Sequence, residues 1–481
     1  MGNHAASVTA QAPVNNSQHL EVLLWSAWAI VVLSACSKDG NEPMGRGAGG
    51  RAWVDGGMPM SICPELPLVD RLKRFCSRAG DGTQDTWARC AGGLADDTGN
   101  AVALDVMGSV YVGAGMGARF PSDTAAALQC WHMSADDFAT VRFETTSLLS
   151  PADGGPALAK YDRDGRLLWA KFLPGTGSQG KLQAIALDSL DGSMVAAGNS
   201  LSTSRFQPSA PRNLYITRLD HQGNPVWFQS AIVMPKVDGY SRADVSGVAI
   251  HPMTNHIVVT GQFHGELTFG AGSSSEQVLA AHRRGDLFIA EFDQLGNLIW
   301  AGDAGGSASA SMGREVLFKP DGSAILVGAL SGAADKAIED RLGTEVEVIP
   351  FGVADMVLVH YDQDGHVLWA NHAGFPRETV HGEGVAYDAS GNIYVTGTFS
   401  TCALFPRAPR EPGAPVPGVP SGALDVACDN TATQMAISSA GGTDQFVAKY
   451  DSRGNLHWVQ GAGGRLMDSA SVLPQPERDS S

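Results

Sequence analysis

Short apolar stretches separated by polar, glycine-bearing breaks run from residue 84 to residue 464, and one phrase recurs within them. It reads Ala157-Leu-Ala-Lys-Tyr-Asp-Arg-Asp-Gly-Arg-Leu-Leu-Trp169 and then Leu214-Tyr-Ile-Thr-Arg-Leu-Asp-His-Gln-Gly-Asn-Pro-Val-Trp227. It returns in Leu287–Trp300, in Met356–Trp369 and in Gln445–Trp458. Each copy predicts a strand, a four-residue Asp-x-x-Gly turn and a second strand ending in Trp. Asp162, Asp220, Asp293, Asp362 and Asp451 can accept backbone N–H bonds as the chain reverses. Gly165, Gly223, Gly296, Gly365 and Gly454 supply the positive φ that the last turn residue needs. The tryptophan then places a large ring between neighbouring sheets.

A second hairpin precedes each copy. Its strands are Val102–Asp105 with Val110–Gly113, Ala184–Asp188 with Met194–Gly198, and Val248–His251 with Ile257–Gly261. Val316–Lys319 with Ile325–Gly328 and Val385–Asp388 with Ile393–Gly397 complete the set. Two hairpins make a four-stranded antiparallel unit that cannot bury both faces alone. Five such units in series predict an all-β chain folded as a β-propeller of four-stranded antiparallel blades.

Phrases such as Tyr387-Asp-Ala-Ser-Gly-Asn-Ile-Tyr-Val-Thr-Gly397 and Asp444-Gln-Phe-Val-Ala-Lys-Tyr-Asp451 resemble the bacterial SBBP-type β-propeller repeats, a family of mostly uncharacterised exported proteins. The resemblance covers residues 84–464 and implies a fold, not an activity. The Asp-x-x-Gly-x-x-x-Trp turn is also similar to PQQ-like repeats, including those of a lipoprotein that assists outer-membrane protein assembly. Those blades are compact. Here the tryptophans stand at 87, 169, 227, 300, 369 and 458, farther apart than the ~40–45 residues of short propeller repeats. The excess sits at residues 121–155, 264–286, 331–355 and 400–443, which are expected to project from one rim and to do the binding. Trp87 leaves one surplus strand: a sixth, partial blade from residues 61–93 closed by Ser469–Leu473, or a decoration on five.

The N-terminal region predicts export. Val22–Leu33 is a single apolar run, too short for the ~20 residues of a spanning helix but suited to a signal-peptide core. It ends in Leu33-Ser34-Ala35-Cys36, which resembles a bacterial lipobox, although residues 1–21 contain no Lys or Arg. The resemblance implies cleavage of residues 1–35, lipidation of Cys36 and, with Ser37 following it, sorting to the outer membrane. Residues 36–60 then read as a polar, Gly-rich tether, and residues 61–481 as one domain. Seven cysteines less Cys36 leave an even set compatible with three disulfides among 15 connectivities. Cys402 and Cys428 share one Pro/Gly-rich insertion and pair first; Cys63 with Cys76 is the next most local choice, leaving Cys90 with Cys130.

Composition narrows the partners. With 33 Lys and Arg against 50 Asp and Glu, the net charge of −17 excludes nucleic acid as a partner. The 58 glycines fit a chain of many turns, and 43% hydrophobic residues suffice for a large core. Asp162 with Asp164 and Asp362 with Asp364 have the spacing that opens a calcium loop, so calcium is the one cofactor considered. His372, His381 and Glu383 fall near one rim as a candidate site, while His251, His256, His360 and His366 lack metal-ligand spacing. No G-x-S-x-G elbow occurs. The expectation is a membrane-anchored envelope lipoprotein whose propeller binds a protein or glycan without catalysis. The alternatives are a PQQ-like assembly lipoprotein, or a propeller hydrolase or lyase marked by His, Arg and Asp clustered in the central channel.

Overall fold

The computed structural model describes residues 86–89, 91–92, 97–117, 140–143, 146–149, 154–174, 176, 178–201, 212–235, 241–281, 285–304, 311–331, 337–339, 345–348, 350, 352–412 and 427–465, together with Ser7–Ala10 and Trp28–Val32. Every regular element among these residues is a β-strand, and none is a helix. The chain forms two compact units, Met1–Leu182 and Gln183–Ser481.

The first unit holds one four-stranded antiparallel sheet: β1 (Asp97–Leu104), β2 (Val110–Gly117), β3 (Gly154–Tyr161) and β4 (Leu167–Phe172), in the order β4-β3-β2-β1. Beside it, Thr86–Arg89 and Ala91–Gly92 carry the surplus Trp strand, and the Arg89 Nε donates to the Gly165 carbonyl at 2.7 Å. Thr86–Arg89 pairs in parallel with Trp28–Val32, which pairs with Ser7–Ala10. Part of the apolar N-terminal run is therefore a strand here. The remaining candidates for a sixth unit, residues 61–85 and Ser469–Leu473, lie outside the described residues.

The second unit repeats the same sheet four times. β5 (Ser178–Leu187, entering from the first unit), β6 (Met194–Leu201), β7 (Arg212–Leu219) and β8 (Pro225–Met234) form one sheet. β9 (Arg242–Ile250), β10 (Ile257–His264), β11 (Asp286–Phe292) and β12 (Leu298–Ala304) form the next, joined to it by a single parallel bridge between Arg212 and Arg242. β13 (Met312–Phe318), β14 (Ala324–Ser331), β15 (Ala354–Tyr361) and β16 (Val367–Ala373) follow. The last sheet is β17 (Val380–Tyr387), β18 (Ile393–Phe399), β19 (Asp444–Tyr450) and β20 (Leu456–Ala462).

The turn chemistry follows the expectation at every copy. The five glycines take φ between 75° and 86°, and Asp162 Oδ1 accepts from the N–H groups of Asp164 and Arg166, as its counterparts do. A bulge comes next, shifting the ladder by one residue ahead of each tryptophan. One residue is thereby left unpaired, and the indole comes to the face that meets the neighbouring sheet. Within the second unit, Trp227 lies on Gly296, Trp300 on Gly365 and Trp369 on Gly454. Around these contacts the middle strands are wholly enclosed: every residue of β11, β14 and β15 is buried. Their apolar sequence is that of strands covered on both faces.

The insertions reach back instead of simply projecting. Glu266–Phe269, paired with Gln277–Ala280, adds itself to the outer edge of β8, one sheet earlier. Ala337–Glu339, paired with Glu345–Glu347, joins β12 through Ile338 and Ala304. Cys402–Pro406 pairs with Gln434–Ser438, and Leu404 and Arg410 bridge to Gly374 and Ala370 of the β16 segment. In the first unit Thr140–Phe143 pairs with Ala91–Gly92 in the same way. Each insertion thus covers a sheet edge whose free N–H and C=O groups would otherwise invite aggregation.

Candidate functional site

In four of the five sheets the first strand is irregular at one matching position. The ladder shifts between Gly99 and Ala101, Val245 and Gly247, Gly313 and Glu315, and Gly382 and Gly384. The unpaired residues are Asn100 in the first unit and Ser246, Arg314 and Glu383 in the second. Glycine recurs here because the second unit's first strands crowd together. A Cβ on Gly247 would lie 3.0 Å from the Glu315 Cα, and one on Gly382 would lie 2.4 Å from a Val327 methyl.

A bulge turns two consecutive side chains toward one side. Arg314 and Glu315, neighbours in sequence, accordingly both reach β17. The Arg314 Nε faces the Glu383 carboxylate at 3.4 Å, and Glu315 Oε2 accepts from the Val385 N–H at 2.9 Å. His381 lies close enough to feel the Arg314 charge. Burial raises the Glu315 carboxyl to about 7, against the opposing Val385 hydrogen bond. Burial also raises Glu383, partly offset by Arg314, and lowers His381, with Arg314 adding to the effect. The result is a charge-balanced cluster holding a neutral imidazole and a carboxyl poised near neutrality, a combination suited to proton exchange. On β9, Asp244 is held by Arg242 of the same strand and by Asn199 from β6, a polar tie from the second strand of one sheet to the first strand of the next.

Of the three rim candidates, His381 and Glu383 are brought together. His372 lies apart on β16, buried beside Arg410, and burial chiefly, with the Arg410 charge, lowers it to about 4. His360 is also lowered to about 4, by burial and then Lys319, and it hydrogen-bonds Ser323 at 2.9 Å. His256 pairs with the buried Glu291 at 2.8 Å, whose other oxygen accepts the Trp300 indole N–H at 2.8 Å. The calcium candidates Asp162 and Asp362 each use Oδ1 to hold their own turn. Among the described residues no three His, Cys, Asp or Glu side chains gather as a metal site. Cys402 and Cys428 form a disulfide, whereas Cys36, Cys63, Cys76, Cys90 and Cys130 lie outside the described residues.

The sequence reading missed Arg314 and Glu315 altogether. It also missed a buried carboxylate at the start of the third strand: Asp286, Asp355 and Asp444. A Cβ on Gly374 or Gly463 would come within 2.1 Å of the Asp355 or Asp444 carboxylate. Those glycines after the Trp strands therefore make room for an acid. The signal was present, since Asp precedes the apolar run in all three copies.

No family model matches the chain. It is similar to "Regulatory protein FlaEY" of Caulobacter vibrioides, 26% identical over 240 residues, covering 45% of this chain and 22% of that protein. It is also similar to "Uncharacterized WD repeat-containing protein L264" of Acanthamoeba polyphaga mimivirus, 22% identical over 370 residues, covering 64% of this chain and 24% of that one. The chain thus spans about a quarter of the length of these relatives. Among solved structures, a protein of unknown function from Dyadobacter fermentans superposes with a TM-score of 0.31 at 10% identity, covering 77% of this chain and 98% of that one. One from Lactobacillus plantarum gives 0.22 at 11% identity, covering 66% and 93%. What stands is an all-β, repeat-built chain of four-stranded antiparallel sheets.

Proposed function

We propose that this chain is an exported, lipid-anchored β-propeller acting at the cell envelope as a non-catalytic binding or scaffolding module. The propeller reading is supported by the converging first strands, the recurrent Trp-on-Gly contact and the WD-repeat name of one relative. The binding reading is carried by one observation. Insertions of different length and sequence are mounted at one place on an otherwise constant scaffold, the outer edge of the preceding sheet. Constant frames bearing variable edges are how rigid scaffolds present recognition loops. The lipid anchor rests on Leu33–Cys36 and favours the outer membrane.

Labelling cells with an alkyne fatty acid tests the anchor. Wild type is expected to take up label and Cys36→Ala to lose it; equal labelling overturns the anchor. Replacing the Glu266–Ala280 hairpin by a short Gly/Ser loop tests the binding role. Envelope partners that co-purify with wild type are expected to be lost, and an unchanged set overturns that role.

A second reading, a hydrolase or lyase, is favoured by the Arg314, Glu315, His381 and Glu383 cluster alone. In that case Glu315 is the general base, and Glu315→Gln would abolish turnover while leaving the fold intact.

A further inference from the structure

We propose that the cleft between the Glu266–Ala280 hairpin and β8 is a binding site for a neutral, polyhydroxylated ligand the size of one sugar ring. It is separate from the first-strand cluster and does not depend on the lipid anchor. The cleft encloses about 250 Å³ between the β8 segment Gln229–Ile232, the hairpin turn at Gly270–Ser275 and the turn at Gly296–Leu298. That is a little below the ~300–1,000 Å³ of drug-sized sites, so a single ring is what it can hold.

The walls are fixed. Phe269 and Phe292 line the cleft with 1% and 2% of their surface exposed, and their ring centroids lie 6.1 Å apart at a steep angle. The hairpin is hydrogen-bonded to β8 in register, Thr268 opposite Ile232 and Glu266 opposite Met234. Its turn is closed by the Ser273 N–H on the Gly270 carbonyl at 2.9 Å and the Gly272 N–H on Glu276 Oε2 at 2.6 Å. A ligand therefore meets a preformed surface, which limits the ordering cost of binding.

The chemistry of the lining selects the ligand. Among the described residues no charged side chain lines the cleft. Two carboxylates of the adjoining turns are engaged elsewhere: Glu276 on the Gly272 N–H, and Asp293 on the backbone of Leu295 and Asn297 and on the Asn297 amide. The polar lining consists of amides and hydroxyls. Asn297 donates its Nδ2 to Asp293 at 2.8 Å, which orients its Oδ1 as a remaining acceptor. Ser273 and Ser275 offer hydroxyls 3.2 Å apart, and the Gln229 amide is not held by another described residue.

An ion entering such a site would lose hydration and gain no counter-charge. A purely apolar ligand would leave the amides and hydroxyls unmatched, at a cost for each. A ring bearing several hydroxyls both donates and accepts, and its C–H face packs on the exposed apolar lining of Ile232 and Ala271, which the buried phenylalanines back. The local lining thus overrides the −17 net charge, which alone would favour a cation.

Saturation-transfer NMR on the full chain tests this with glucose, galactose and N-acetylglucosamine, with choline and acetate as charged controls. At least one neutral sugar is expected to receive saturation while neither ion does. Gln229→Ala is expected to weaken that sugar about 3- to 10-fold, the effect of one lost hydrogen bond. Ser273→Trp, which fills the cleft from its exposed rim, is expected to abolish transfer. Circular dichroism of both variants checks that the fold is kept. Transfer to no neutral sugar, transfer to choline or acetate alone, or sugar binding unchanged in both variants overturns the proposal.

Discussion

Trp300 lies on Gly365 so closely that a Cβ built on that glycine would come within 2.5 Å of the indole. The same contact joins Trp227 to Gly296 and Trp369 to Gly454, at 3.0 and 2.8 Å. A glycine chosen for its turn is thus also the floor on which the preceding sheet rests its largest side chain. Two demands fall on one residue, and only glycine meets both.

The two demands can be separated by mutation. Gly322 has nearly the same φ as Gly365, +85° against +86°, but its nearest neighbour would stand 3.6 Å from an added Cβ. Gly322→Ala is expected to cost about 1–2 kcal/mol, the left-handed backbone penalty alone. Gly365→Ala adds a steric clash of about 1–3 kcal/mol and should be clearly worse. Denaturant midpoints of the two variants decide it; equal losses would mean the indole yields freely.

The Cys402–Cys428 bond closes a loop with a sequence separation of 26 and anchors the insertion that bridges to β16. Loop-closure entropy for that length gives about 3.5 kcal/mol. Double replacement, Cys402→Ala with Cys428→Ala, is expected to lower stability by that order. In the wild type neither thiol should react with an alkylating reagent before reduction; reaction without reduction would contradict the bond.

Glu315 makes stability fall as pH rises. Its carboxyl titrates near 7 in the folded chain and near 4.5 unfolded, so the folded state holds the proton more tightly. Stability is therefore lost progressively between pH 4.5 and 7, by roughly 3 kcal/mol. Glu315→Gln removes that slope, so the variant should gain on wild type at pH 8 and match it near pH 4. Melting temperatures across this range are the measurement, and a parallel offset at both ends would refute the assignment.

His372 acts in the opposite direction. Burial holds it neutral down to about pH 4, whereas the unfolded side chain takes up a proton near 6.5. Stability is full above 6.5 and falls as pH drops toward 4. His372→Gln should lessen the acid loss and leave stability at pH 8 nearly unchanged apart from packing. An unaltered acid limb would show that His360, with a similarly lowered value, dominates it.

The paired hairpins were legible because their signals are local. Alternation, the Asp cap and the positive-φ glycine all act within a few residues, so the five copies in Ala157–Trp169 through Gln445–Trp458 could be read without knowing their neighbours. The Cys402–Cys428 pair was legible for the same reason, since both cysteines share one insertion. The candidate site was only half visible. His381 and Glu383 stood out as titratable residues near one rim, but Arg314 and Glu315 looked like ordinary strand residues.

The strand, the turn, the four-stranded unit and its repetition all follow from the spacing of side chains along one chain, and so were encoded locally. How each unit meets the next emerges only once the chain is folded. Trp300 reaches a glycine one repeat later, the insertion after β10 returns to the edge of β8, and the bulge in β13 turns Arg314 and Glu315 together onto β17. Such contacts depend on how sheets crowd and on which hydrogen-bonding edges remain open. No local pattern encodes either.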